Sequence, residues 1–172
     1  MNADRPVRRF QRSSTLRSPQ AGVEAAERAC RDRHVQFTRI RRSVLETLWR
    51  AEHPLGAYEI MSVLEQADGQ RLSPPTVYRA LEFLVEQRFI SRIETKNAYV
   101  PCSHPDHPHA CVFFICDRCG SSAEVENPAI EYMCDRDAEA LGFHIGKRVV
   151  ELQGMCATCQ MAAGHSPQPA SA

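Results

Sequence analysis

Apolar residues recur at helical spacing through the first half of the chain. Val23, Ala26 and Cys30 share one face of a short helix expected over residues 22–33. Behind Thr38, a residue suited to the N-cap, Ile40, Val44, Leu45, Leu48 and Trp49 form a second stripe, which ends before His53-Pro54. A third helix carries Ile60, Val63, Leu64 and Ala67 and stops at Asp68-Gly69. Ser73-Pro74-Pro75 opens a fourth over residues 74–88, because proline is tolerated in a first helical turn. Val77, Leu81, Leu84 and Val85 make its buried stripe, leaving Thr76, Tyr78, Arg79 and Glu82 on the other side. Two short strands follow, at about 89–94 and 98–101, with Thr95-Lys96-Asn97 as the turn between them. Helices followed by a two-stranded hairpin make a winged helix-turn-helix.

The periodicity changes after residue 101. Residues 102–111 are rich in His, Cys and Pro. Val112-Phe113-Phe114-Ile115 reads as a buried strand, with Ala123-Glu124-Val125-Glu126 as a partner for it. Pro128 starts an amphipathic helix bearing Ile130, Met133, Cys134, Ala138 and Leu141, closed by Gly142. Val149-Val150-Glu151-Leu152 is a third strand. The expected class is therefore α+β: a winged helix over residues 21–101 and a small α/β domain over 102–160. A basic arm, 1–20, and a flexible tail, 161–172, flank them.

Charge sharpens this division. Residues 1–100 hold 17 Lys and Arg against 12 Asp and Glu, while residues 101–172 hold 4 against 9. A neutral chain so divided meets a polyanion, if at all, through its first half. The arm, Arg5 to Arg17, accounts for much of the excess and could add nonspecific phosphate contacts. Its Arg/Ser composition also suits a mitochondrial transit peptide. No run of 18 apolar residues is available to span a membrane, and the start lacks a secretory apolar stretch, so a cytoplasmic location is expected.

Eight cysteines in such a chain point to metal or redox chemistry before disulfides. Cys116-Asp-Arg-Cys119 and Cys156-Ala-Thr-Cys159 are two knuckles 36 residues apart. Two residues between cysteines let one turn aim both sulfurs at one ion, and two turns complete the tetrahedral thiolate shell that zinc accepts. Each knuckle ends an expected strand, so pairing those strands would bring the knuckles together. With all four positions filled by protein, the site is expected to be structural. An iron–sulfur cluster and redox disulfides are the competing readings.

A second cluster runs from Cys102 through His104, His107, His109 and Cys111, with Glu124 downstream. His107 and His109 project to one face of an extended chain. Mixed nitrogen, sulfur and oxygen ligands suit zinc, and this cluster sits where the two halves join.

Pro-Pro-Thr-Val-Tyr-Arg-Ala-Leu (74–81), Phe-Ile-Cys-Asp-Arg-Cys-Gly (114–120) and the last Cys-x-x-Cys resemble the ferric uptake regulator family, and within it the zinc uptake regulator branch. The likeness runs from about residue 22 to 160. It implies a homodimer with a C-terminal dimerisation domain that, when loaded with zinc, binds an operator and represses zinc-uptake genes. It implies two zinc ions per subunit. Cys116, Cys119, Cys156 and Cys159 match the structural site; Cys102, His109 and Glu124 match regulatory positions. Some relatives carry a regulatory histidine where this chain has Ser91. Others use Cys-x4-His-x-His, so the regulatory set is taken as Cys102, His107, His109 and Glu124, with His104 as a substitute for His107. A histidine of a third site in some relatives aligns near Arg148, so that site is not expected here.

Helix 74–88 should enter the major groove of double-stranded DNA. Arg79 can bond guanine bidentately, and Tyr78 and Thr76 lie beside it. The family resemblance assigns DNA contact to Tyr78, Arg79, Tyr58 and Arg41; Lys96, at the wing tip, is a further candidate. No catalytic residues or small-molecule substrate are expected. His-Glu-x-x-His is absent, which counts against a zinc hydrolase. An iron- or peroxide-sensing regulator of the same fold is the nearer alternative. A soft Cys102 ligand favours zinc over it.

Overall fold

The computed structural model describes residues 18–69, 71–102, 111–146 and 148–164. Residues 1–17 of the basic arm, the three histidines after Cys102 and most of the tail therefore lie outside the described residues, while residues 18–20, expected as arm, cap and open the first helix.

Four helices build the first half: α1 (Pro19–Asp32), α2 (Arg39–Arg50), α3 (Ala57–Asp68) and α4 (Pro74–Glu86). α1 starts earlier than its apolar stripe suggests, because Ser18 caps it, accepting from Ala21 N at 3.2 Å, and Pro19 fits its first turn. Thr38 does hold the N-cap position of α2, but its buried hydroxyl has no hydrogen-bond partner among the described residues. The cap inferred from sequence is thus positional only. Gly69 ends α3 in the left-handed region, φ 66°, where a side chain is strained. α4 ends two residues short of its expected limit, and Arg88 turns the chain at φ 62°.

The stripes converge as their spacing requires. Val44, Leu45, Ile60, Val77, Leu81 and Leu84 form a sealed core, closed on one side by α1 through Val23, Ala26 and Cys30. α1 comes so close to α2 that a Cβ on Gly22 would lie 2.6 Å from Trp49 Cζ2. The wing is β2 (Ile90–Ile93) and β3 (Ala98–Pro101), joined by an unexpected two-residue strand, β1 (Leu55–Gly56), in the order β1-β3-β2. Two residues show no alternation that sequence could reveal.

The second half is a three-stranded sheet, order β5-β4-β6, from β4 (Cys111–Cys116), β5 (Ser122–Glu126) and β6 (Val150–Gly154). β4 and β5 are antiparallel, with Phe113 opposite Glu124, and β4 and β6 are parallel, with Phe113 opposite Glu151. α5 (Pro128–Ala140) forms as expected and buries none of its residues. α6 (Ala157–Ala162), missed in the sequence, follows the last strand and enters the segment expected as tail.

The halves meet at the wing. Ile93 and Val100 pack with Phe113 and Ile115 in one apolar cluster. Residues opposite one another in a ladder share a face of the sheet. The wing face therefore carries Phe113, Ile115, Glu124 and Glu151. The other face carries Phe114, Val125 and Leu152, each about two-fifths exposed or more. Among the described residues no helix is long and apolar enough to cross a membrane.

Candidate metal centre and nucleic-acid interface

β4 and β6 run side by side and in the same direction, so their ends coincide: Cys116 lies opposite Gly154. Asp117 N donates to Gly154 O at 2.8 Å, extending the pairing into the first knuckle. That knuckle is a tight turn in which Gly120 N donates to Cys116 O, at 2.9 Å, and Gly120 takes φ 72°. A residue other than glycine is strained there. Arg118 ties the turn to the second knuckle by donating to Cys159 O at 3.0 Å.

The two turns bring the sulfurs of Cys116, Cys119, Cys156 and Cys159 within 4.8 Å of one another. Zinc–sulfur bonds of about 2.3 Å give a tetrahedron with edges of roughly 3.8 Å. The Cys119 and Cys156 sulfurs are 3.8 Å apart. Cys116 and Cys156 are buried, while Cys119 is exposed. The donor set and its spacing fit a divalent soft cation, and zinc in particular.

Electrostatics point the same way. Burial pushes the Cys116 thiol up, but amides of Cys156, Cys119 and Arg118 directed at its sulfur outweigh burial and bring it down to about 6. Cys156 N donates to that sulfur at 3.4 Å. Cys119 is lowered chiefly by the Ser121 hydroxyl, 2.8 Å away. Cys159 is pushed up to about 12 by desolvation and the adjoining sulfurs. Two thiols are eased toward ionisation and a third resists it beside them. A cation that neutralises the cluster removes that resistance.

Of the second cluster, Cys102 and Glu124 are described. Cys102 is buried just after β3, and its amide donates to Phe89 O at 3.0 Å. Glu124 stands on the wing face of β5, opposite Phe113. Both therefore sit on elements that meet at the junction. His104, His107 and His109 lie outside the described residues.

The expected DNA-contact residues are placed as follows. Thr76 and Arg79 are exposed on α4 and Tyr78 is half-buried against the core. The Thr76 hydroxyl is 2.7 Å from that of Ser73, which fixes the start of the helix. Tyr58, on α3, is 68% exposed. Arg41 has its guanidinium 3.4 Å from the centre of the Phe83 ring and donates to Gln36 O. The Lys96 ammonium lies 3.3 Å from Asp117 in the first knuckle. Sequence reasoning missed Glu151 altogether. Its partners are more than fifty residues away, and only the register of β6 reveals them.

Fold and site together define a winged-helix protein whose second half gathers four cysteines in an arrangement that could hold a metal ion. Residues 32–153 match the ferric uptake regulator family. The zinc uptake regulation protein of Escherichia coli (strain K12) is 39% identical over 135 residues, 78% of each chain. A zinc uptake regulator solved in complex with zinc and DNA superposes with a TM-score of 0.82 at 36% identity, covering 86% of this chain and 99% of the other. The crystal structure of holo XcZur gives 0.74 at 41% identity over 81% and 96% of the two chains. The chain belongs to the ferric uptake regulator family.

Proposed function

We propose that this chain is a zinc-responsive transcriptional repressor that binds double-stranded operator DNA as a zinc-loaded homodimer and controls zinc-uptake genes. The observation that carries the reading is one chain holding both a closed four-thiolate cage and a helix with Thr76 and Arg79 exposed on a winged-helix frame. Similarity to a zinc uptake regulator solved with zinc and DNA supports it. Membership of a regulator family supports a role without catalysis, carried out in the cytoplasm, where DNA is met.

Two zinc ions per subunit are proposed. Cys116, Cys119, Cys156 and Cys159 would hold the first, which supplies a cross-link with no open position for chemistry. Cys102, His107, His109 and Glu124 would hold the second, with His104 able to replace His107. Cys102 ends the wing and Glu124 belongs to the sheet, so ligands drawn from both bind the halves to each other. A soft thiol in that set favours zinc over iron. The apolar face of Phe114, Val125 and Leu152 suits a second copy of the chain. On DNA, Arg79, Tyr78 and Thr76 read the major groove, Tyr58 and Arg41 contact the duplex, and Lys96 needs its ion pair with Asp117 opened before it can join them.

The test is an operator titration by fluorescence anisotropy at buffered zinc concentrations. Affinity should rise about 5–150-fold per zinc bound at the regulatory site, and Cys102→Ser should abolish the response. Arg79→Ala should weaken the loaded protein by about 1–3 kcal/mol without changing its zinc content. Operator binding indifferent to zinc rejects the reading.

A further inference from the structure

The wing turn is held from the other half of the molecule. Glu151 Oε1 accepts from Glu94 N at 2.6 Å, and Oε2 accepts from Thr95 N at 3.1 Å and from the Thr95 hydroxyl. The next residue, Lys96, pairs with Asp117 of the first knuckle. Beside these polar contacts lies the apolar cluster of Ile93, Val100, Phe113 and Ile115. Register explains why an acid faces inward here. Glu151 stands opposite Phe113, whose ring packs on the wing, so Glu151 shares that face, while its neighbour Leu152 points away and is 46% exposed.

We infer that Glu151 is a positioning residue for operator binding: it clasps the wing turn to β6 and so sets the orientation of the winged helix on the metal-stapled sheet. The chain is continuous from clasp to staple. β6 (Val150–Gly154) carries Glu151 near its start and ends at Gly154, whose carbonyl accepts from Asp117 N, and Cys156 follows two residues later. A carboxylate suits the role because the Glu94 and Thr95 amides and the Thr95 hydroxyl are donors and its charge strengthens each of these bonds. A glutamine in its place keeps the shape but offers one acceptor oxygen and turns an NH2 toward a donor. The affinity part of the test rests on the operator-binding reading; the exchange part does not.

The experiment uses the zinc-loaded full chain, with Glu151→Gln, Glu151→Ala, Thr95→Ala and the Glu151→Ala/Thr95→Ala double variant. Hydrogen exchange at the Glu94 and Thr95 amides should quicken at least about tenfold in both Glu151 variants. Zinc content should be unchanged and operator affinity should fall at least about fivefold. The double variant should lose less than the two single losses combined. Unchanged exchange at residues 94–95, or faster exchange with full operator affinity, overturns the inference. If the wild-type chain shows no zinc-dependent operator binding, the functional reading fails instead. Small-angle scattering then decides the clasp: expansion in Glu151→Ala supports it, and superimposable curves overturn it.

Discussion

Helices α2 and α5 differ by one residue in length, and both carry an apolar stripe at helical spacing, yet their surroundings are opposite. α2 seals Val44, Leu45, Leu48 and Trp49 inside the first half. α5 leaves Met133 53% exposed and its C-cap Leu141 81% exposed, and its residues are half-buried or exposed, none buried. The sheet of the second half repeats the pattern. Its wing face is covered, while Phe114, Val125 and Leu152 stand open on the other. A stripe of that kind is stable in water only if something covers it. The first half completes its core from its own sequence, whereas the second packs against the wing and, on our reading, borrows further order from a metal and from a second copy. On that reading, the open packing marks a domain completed by assembly.

Stripping the metal should separate the halves most strongly. Structural zinc contributes on the order of 10–16 kcal/mol of apparent binding free energy in small domains. That exceeds the whole stability of most domains of this size, about 5–15 kcal/mol. Chelation, or Cys116→Ser, should therefore unfold the strands ending at the knuckles and leave α2 and α4 protected. Hydrogen exchange on the demetallated chain checks this. Uniform loss of protection in both halves would sink the contrast.

The next test sets one truncation against another. Leu81→Ala, in the sealed core, should cost about 2–5 kcal/mol in denaturant unfolding at any protein concentration. Leu152→Ala, on the open face, should leave the monomer nearly as stable and raise the dimer dissociation constant in sedimentation. A large stability loss for Leu152→Ala at high dilution would mean that its face is already covered within one chain.

Gly22→Ala sharpens the claim that the first half is packed to its limit. Alanine gains up to about 1 kcal/mol in helix propensity over glycine. The new methyl would press into the Trp49 ring, with Cε2 nearer still than the 2.6 Å to Cζ2, and overpacking of a tight contact costs about 1–3 kcal/mol. The clash should win, giving a small net loss in thermal unfolding. A stabilised variant would show that α1 can slide off Trp49 at little cost.

These contrasts also explain what could be read from the sequence. Helical stripes and Cys-x-x-Cys knuckles are local patterns, so α1 to α5 and the four thiols are legible from spacing alone. The pairing that joins Cys116 to the second knuckle was foreseeable because each knuckle ends an expected strand, but its parallel direction was not. α6 was not legible: its six residues are too few to show a period, and its N-cap is a cysteine already assigned to the metal. Glu151 reads as an ordinary polar residue of an edge strand. Only its place opposite Phe113 turns it toward the wing. The exposed stripe of α5 was legible as amphipathic, but sequence does not say whether the covering partner lies in the same chain.

The smallest expected effect compares two caps of the same kind. Ser18 accepts from Ala21 N at 3.2 Å at the start of α1, and Asn127 accepts from Ala129 N at 3.1 Å at the start of α5; a proline follows each. Replacing either by alanine removes a cap worth about 1 kcal/mol. In α1 the loss should appear in global stability, because Val23, Ala26 and Cys30 bind that helix to the core and it unfolds with it. In α5 no buried residue couples the helix to the rest of the monomer. Asn127→Ala should therefore fray the first turn of α5, quickening its amide exchange about fivefold, while the unfolding midpoint of the first half stays where it was. If dimerisation covers α5, raising the protein concentration should restore the lost protection. Failure to restore it would place the partner surface elsewhere on the sheet.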